Sequence, residues 1–357
     1  MTLQDIARYR MVNQQLVATG FSKPAEIVGW LGAMQAQEYA HSKWAIGLRL
    51  PGCRDADIEQ AFSNGEILRT HLLRPTWHFV TPADIRWILA LSAPRVNAIN
   101  SFMYRKMELD NKLFTRTNDA LARELQGGKQ LTRAKLQSAL KRKRIQADGI
   151  RLSCIMMRAE LDGIICSGAR AGKQFTYALL EERVPPFTHV NPDEALAELT
   201  SRYFKSRGPA TLKDFAVWSG LTYTLAKKGI AMVSAHFTRE INGNEDYYFP
   251  PIDSLNKKQF QKTWLLPPYD EFIMGYKNRD AIFLNRNKIN PAPKLLFDNT
   301  IIAEGQVAGS WRRTIQHNSI DLEYHLFNPT HKKQLTEVEK AIRAFSKFMG
   351  LAVSVKN

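Results

Sequence analysis

Gly32-Ala33-Met34-Gln35-Ala36-Gln37 is the stretch on which the reading of this chain turns. Two glutamines flank one small apolar residue, just ahead of Glu38, Tyr39, His41 and Trp44. In a continuing α-helix, residues i and i+2 lie about 200° apart and serve different surfaces, whereas in extended backbone they share a face. The residues before the pair look helical: Ser22 can cap, Pro24 suits a first turn, and Ile27, Val28, Leu31 and Met34 recur at helical spacing. Gly32 and the loss of periodicity after Met34 predict that this helix ends before the glutamines. They then either converge on one site or merely satisfy loose backbone groups at a helix end.

Outward from this point the order of elements repeats. Toward the N-terminus, Asp5 to Thr19 reads as a helix stopped by Gly20. Toward the C-terminus, Trp44, Ile46, Leu48 and Leu50 alternate as a short strand would, Asp55 to Asn64 suits a helix, and Ile67–Leu73 and Thr76–Val80 read as two strands turning at Arg74-Pro75. Helices followed by a hairpin is the order of a winged helix. After a helical connector from Pro82 to about Met107 that order returns: a helix capped by Thr132, another over Leu152–Leu161, and strands at Ile164–Cys166 and Phe175–Leu180 around a glycine-bounded turn carrying Arg170 and Lys173. It returns again after Pro185-Pro186, with helices at Asp193–Lys205, Leu212–Ser219 and from Thr222 to Val233, then strands at His236–Ile241 and Tyr247–Phe249 about Asn242-Gly243-Asn244. From Trp264 the texture turns to β: Trp264–Leu266, Ala281–Leu284, Ile301–Ala303, Val307–Arg312 and Ile320–Leu326 read as strands. An amphipathic helix follows, with Leu335, Val338, Ile342, Phe345 and Met349 on one face, and Leu351–Val355 is a last strand. The expected class is α+β, with three tandem winged-helix domains (1–81, 112–186 and 187–255), a connector at 82–111, and a small β-barrel-like domain with one helix at 256–357.

Fifty Lys and Arg against 34 Asp and Glu give a net charge of +16 in 357 residues. Between Arg95 and Arg151 there are fourteen basic and five acidic residues, a net of +9, including Lys141-Arg142-Lys143-Arg144. Such an excess points to a polyanion, and to nucleic acid ahead of a membrane surface, since no basic amphipathic helix with a bulky apolar face stands out. The candidate phosphate contacts are Arg133, Lys135, Lys141, Arg142, Arg144 and Arg151, the turn residues Arg170 and Lys173, and Lys277 and Arg279. No stretch is long and apolar enough to span a membrane, and Met1–Arg10 has no apolar signal core. Cys53, Cys154 and Cys166 are scattered, and no histidine pair has metal-ligand spacing. A cytoplasmic protein without metal or cofactor is the economical expectation.

Conventional catalytic signatures are missing: there is no phosphate-cradling glycine loop and no Gly-x-Ser-x-Gly elbow. Asp270 and Glu271, inside Pro267–Arg279, read as turn residues ahead of acids. Trp77 and His78 could stack on a base, although Trp in a strand is more often core. Met34-Gln35-Ala36-Gln37, Leu73–Thr81, Gly208–Leu221, Leu266–Arg279 and Gly305–Arg312 together resemble, in order and over nearly the whole chain, the tandem winged-helix DNA glycosylases of the AlkZ and YcaQ type. Those enzymes excise alkylated purines from double-stranded DNA and in some members unhook interstrand crosslinks. The resemblance implies that Gln35 and Gln37 are the catalytic pair, in the short form of the family signature that marks the crosslink-repair branch; the intervening residue here is only Ala36. Amides cannot act as general bases, but they can place water and a carbonyl dipole beside an oxocarbenium ion. A cationic N-alkylpurine needs no further protonation to leave. Neither glutamine can form a Schiff base, so base release without strand cleavage is expected. The competing reading is a winged-helix DNA-binding regulator in which the glutamines only cap and pack.

Overall fold

The computed structural model describes residues 1–186, 191–251, 257–283, 298–327 and 332–356. Thr2 opens helix α1 (Leu3–Asn13) by accepting from the Asp5 N–H. This helix ends well before the expected Thr19. The end is captured by distant groups: the Asn13 amide donates to the Gly208 carbonyl (2.7 Å), and the Trp30 indole donates to the Asn13 carbonyl (2.7 Å). Helix α2 (Pro24–Leu31) stops at Gly32, whose φ of 72° is open to glycine at little cost. Strand β1 (Met34–Gln35) follows, then α3 (Tyr39–Gly47), α4 (Asp55–Asn64), β2 (Leu68–Leu72) and β3 (Arg74–Val80). The three strands form an antiparallel sheet in the order β1-β3-β2.

Two sequence expectations fail here. The alternating Trp44–Leu50 stretch is not a strand; its first half lies in α3. Ser42 to Gly47 are all buried, so this helix has no polar face from which its period could be read. The hairpin turns at Leu73 (φ 59°) instead of Arg74-Pro75, with Leu72 paired to Arg74. Pro75 sits where the register breaks between that pair and His71↔Trp77, a position that requires no ladder N–H.

Helix α5 (Pro82–Lys106) leads to α6 (Asn111–Leu125), β4 (Leu131–Thr132), α7 (Arg133–Arg142), α8 (Gly149–Leu161), β5 (Ile165–Ser167), β6 (Thr176–Leu179) and the short α9 (Leu180–Arg183). Thr132 caps α7 as expected. The sheet order is β4-β6-β5, so a two-residue edge strand again lies against the second strand of a hairpin. A third set comprises α10 (Pro192–Arg207), α11 (Leu212–Ser219), α12 (Tyr223–Val233), β7 (Thr238–Asn242) and β8 (Glu245–Phe249). There the edge shrinks to one bridge, Ala210↔Tyr248.

The C-terminal portion holds β9 (Thr263–Leu266), α13 (Glu271–Met274), β10 (Asn299–Ala303), β11 (Gln306–Ile315), β12 (Ser319–Leu326), α14 (Lys332–Met349) and β13 (Ala352–Lys356). Its sheet runs β13-β12-β11-β10-β9 and, among the described residues, is open instead of barrel-like. A helix on one face buries the sheet without closure: Phe345 of α14 packs between Trp44 and Trp311, with ring centroids 5.1 and 5.3 Å away. Phe348 joins that buried face, whereas Leu335 is exposed. The expected strand at Ala281–Leu284 is a 3₁₀ turn over Asp280–Ile282, started by the Asn278 side chain accepting from the Asp280 N–H; Leu284 lies outside the described residues.

The parts share cores. One apolar cluster runs from β2 and α5 into α10, α11 and α12, so the third helix set packs back on the first hairpin. A Cβ at Gly220, which caps α11 with φ 70°, would stand 2.3 Å from the Leu73 carbonyl oxygen. Gly220→Ala should therefore destabilise the chain by about 2 kcal/mol or more, since neither backbone can yield cheaply. An unchanged urea midpoint would show that this contact is not held in solution.

Candidate active site

The segment between Leu31 and Gln37 is held by residues distant in sequence. Arg207, at the end of α10 and fully buried, donates to the Leu31 carbonyl (2.8 Å) and the Ala33 carbonyl (2.9 Å). These carbonyls would otherwise be loose ends of a terminated helix. Downstream the chain joins β3: Met34 pairs with Phe79 and Gln35 with His78, and the Ala36 N–H donates to the Trp77 carbonyl (2.7 Å). The backbone is thus extended through Gln35 and Ala36 and bends at Gln37, non-helical across both glutamines as the early end of α2 predicts.

In this antiparallel register the backbone groups of Gln35 point off the sheet edge. Glu271 meets them there: its Oε1 accepts from the Gln35 N–H (2.8 Å). Its Oε2 accepts from Arg207 Nη2 (2.6 Å), Arg207 Nε (3.1 Å) and the Trp218 indole (3.0 Å). Asp270 beside it takes Arg49 in a two-pronged pair, each contact 2.8 Å. Both carboxylates are buried. The turn reading was therefore incomplete. Asp270 does start α13, accepting from the Phe272 N–H, but the two acids are internal partners of buried arginines.

Residues opposite one another or two apart in a sheet share a face. Gln35, His78 and Thr70 therefore lie together, with Arg74 and Thr76 further along β3. Gln37, half-buried, follows at a bend two residues on. Arg74 Nη2 donates to Gln35 Oε1 (3.0 Å), which fixes that oxygen as the acceptor and leaves the amide NH₂ of Gln35 facing away from Arg74. His78 is fully buried, and Nδ1 can only donate to the Thr76 carbonyl at 2.9 Å, so Nε2 carries the lone pair. Burial, and then the nearby Arg74, holds His78 well below the usual imidazole range, hence neutral. Gln37 Oε1, His78 Nε2, Thr70 Oγ1, Thr76 Oγ1 and Arg74 Nε are buried and have no hydrogen-bond partner in the protein. The clustering of the His78, Thr70, Thr76 and Arg74 atoms on one sheet face is what a polar ligand site looks like before its ligand.

The other face is a stack. Arg69 donates from Nε to the Ala36 carbonyl (2.9 Å), and its guanidinium lies 4.4 Å from the Trp77 ring and 4.7 Å from Phe175. Burial brings Arg69 down to about 10, so it remains charged at neutral pH. Arg170 covers Phe175 (4.3 Å) and Tyr39 (5.0 Å), joining the second hairpin to the glutamine segment. The His71 ring lies 4.4 Å from Trp77, tilted by 42°. His78 is enclosed and presents no ring face for stacking on a base, while the half-buried Trp77 carries Arg69 against its ring.

The remaining basic candidates fall in separate places. Lys135, Lys141, Arg142 and Arg144 are exposed on and just after α7, where Lys141 pairs with Asp148 and Arg142 with Glu124. Arg133 is half-buried and donates to Ser153; Arg151 donates to the Met107 and Gln146 carbonyls. Arg170 donates to the Lys173 carbonyl, leaving Lys173 as the exposed charge of that turn. Lys277 is exposed, while Arg279 is tied to the Ile273 carbonyl. A cavity of about 1100 Å³ lies elsewhere, between α3, β9 and α14, and includes neither glutamine. Among the described residues no cluster of His, Cys, Asp or Glu could hold a metal ion, and no helix is long and apolar enough to cross a membrane.

Residues 28–348 match the family described as DNA glycosylase AlkZ-like, and the chain belongs to that family. An interstrand DNA cross-link repair glycosylase of Streptomyces sahachiroi is 22% identical, over 98% of this chain and 97% of that protein. The solved structure of the S. sahachiroi DNA glycosylase AlkZ superposes with a TM-score of 0.79 at 19% identity, covering all of both chains, which makes the fold common to both.

Proposed function

We propose that this chain is a monofunctional glycosylase that releases cationic N-alkylated purines from double-stranded DNA and unhooks interstrand crosslinks carrying the same linkage, with Gln35 and Gln37 as its catalytic pair. The observation that carries the reading is the glutamine face itself: Gln35 is fixed by Glu271 at its backbone and by Arg74 at its side chain, beside buried polar atoms that have no partner in the protein. Fixed neutral dipoles suit a reaction in which positive charge moves from the base to the sugar. The leaving base is already cationic and departs neutral, so no acid is required. No lysine is among the residues of that face, which favours hydrolysis without a Schiff base and therefore without strand cleavage. The printed name of the S. sahachiroi relative supports extending the activity to crosslinks.

The three recurring sets of helices, short edge and hairpin are read as winged helices over 1–81, 112–186 and 187–255, with 82–111 as connector and 256–357 as a further domain. They would hold one duplex as a monomer, in the cytoplasm at the nucleoid. Lys135, Lys141, Arg142, Arg144, Lys173 and Lys277 are read as phosphate contacts, with Arg133, Arg151, Arg170 and Arg279 shaping the surfaces beneath them. Between about 50 and 200 mM salt, duplex affinity should fall roughly a thousandfold if some six phosphates are neutralised. Fluorescence anisotropy that shows no salt dependence would remove the electrostatic part of this reading.

Purified protein and duplexes carrying a single lesion test the chemistry. N7-methylguanine and N3-methyladenine should be released as free bases far faster than uracil, 8-oxoguanine or ethenoadenine, with the strand left intact. Sequence-selective binding without base release would instead identify a DNA-binding regulator.

A further inference from the structure

His78 stands directly across the sheet from Gln35 in the narrow, non-hydrogen-bonded type of pair, in which opposing side chains come closest. A histidine buried for structural reasons ordinarily has both ring nitrogens satisfied. Here Nδ1 is satisfied by the Thr76 carbonyl and Nε2 is not. An unpartnered acceptor directly across the sheet from the Gln35 side chain is suited to take one hydrogen of a water held there and leave that water a lone pair free.

We propose that His78 is a further catalytic residue: its Nε2 accepts from the attacking water and takes that water's proton once the new bond to the sugar has formed. The inference rests on the glycosylase reading above. The C1′–N bond breaks with its electron pair passing to the cationic base, which leaves neutral. The water oxygen then bonds to C1′ and becomes an oxonium, and its proton moves to His78 Nε2 and on to solvent. An oxonium is a strong acid, so an imidazole of low basicity suffices. That low basicity also keeps Nε2 an acceptor between turnovers. Arg74 and Arg207, with His71 on β2, are the charged or titratable groups that bear on it, and all oppose a resting imidazolium. Glu271 is not available for the role, because four donors already occupy its oxygens.

Single-turnover release of N7-methylguanine from a duplex, in buffer and in buffer with methanol, tests this in the parent, His78→Leu and His78→Gln. His78→Leu should lose about a hundredfold in rate, the usual range for a lost proton acceptor, with duplex affinity unchanged. Mass spectrometry of the product sugar should show a larger share of C1′-methoxy over C1′-hydroxy than in the parent, because water is no longer the selected nucleophile. His78→Gln keeps an acceptor but no base, and should fall between the two in both rate and methanol share. A His78→Leu protein as fast as the parent, or an unchanged methanol share, overturns the proposal. Should His78→Leu not fold, His78→Gln matching the parent in rate and product overturns it instead. A parent that releases no N7-methylguanine defeats the glycosylase reading; an active parent with unimpaired variants defeats only the role of His78.

Discussion

Glu271→Gln should unfold this chain with several kcal/mol less resistance, although the substitution is nearly isosteric. Glu271 is an acceptor at every site it uses: from the Gln35 N–H, two nitrogens of Arg207 and the Trp218 indole. A carboxamide has one accepting oxygen and one donating NH₂, so either orientation sets donor against donor. It also leaves the Arg207 guanidinium, wholly buried, without its countercharge. Removing one partner of a buried ion pair typically costs about 3–5 kcal/mol, far more than the pair contributes net. The effect should reach the site as well, because Arg207 holds the Leu31 and Ala33 carbonyls and Glu271 holds Gln35. Urea unfolding measures the first part and base release at a temperature where the variant is folded measures the second. A variant within about 1 kcal/mol of the parent would mean that water has replaced the carboxylate and that the clamp is not what holds the glutamines.

Gln37→Ala should slow release of cationic bases by roughly tenfold to a thousandfold, the range seen when one positioned dipole is removed near developing charge. The side chain is half-buried, and its Oε1 makes no bond within the protein, so truncation removes little that folding depends on. The variant should therefore melt like the parent. It should also bind duplex DNA equally well, since phosphate contacts generally dominate affinity and the proposed ones lie elsewhere. Single-turnover conditions are needed so that slow product release does not hide the chemical step. Release at the parent rate would end the paired-glutamine mechanism and leave the fold and the family untouched.

Local chemistry made much of this legible in the sequence. Helix ends set by Gly32, Thr132, Thr211 and Thr222 are decided by residues within one turn, and the hairpin at Asn242-Gly243-Asn244 by its own backbone preferences. Extended backbone at Gln35 could likewise be inferred from the end of α2. What failed is what long-range packing decides. A helix buried on all sides has no period to read, which is why α3 looked like a strand. An open sheet and a closed barrel have the same strand alternation, and only the seat of α14 against Trp44 and Trp311 separates them. The site shows the same division. Gln35 and Gln37 are visible as a pair in one short stretch of chain. The roles of Arg207, Glu271, Arg74 and His78 are not, because they arise from burial beside a segment up to 236 residues away. A carboxylate reads alike in a turn and in a core; only the surrounding protein, by excluding water and supplying donors, makes Glu271 a clamp and His78 a neutral acceptor.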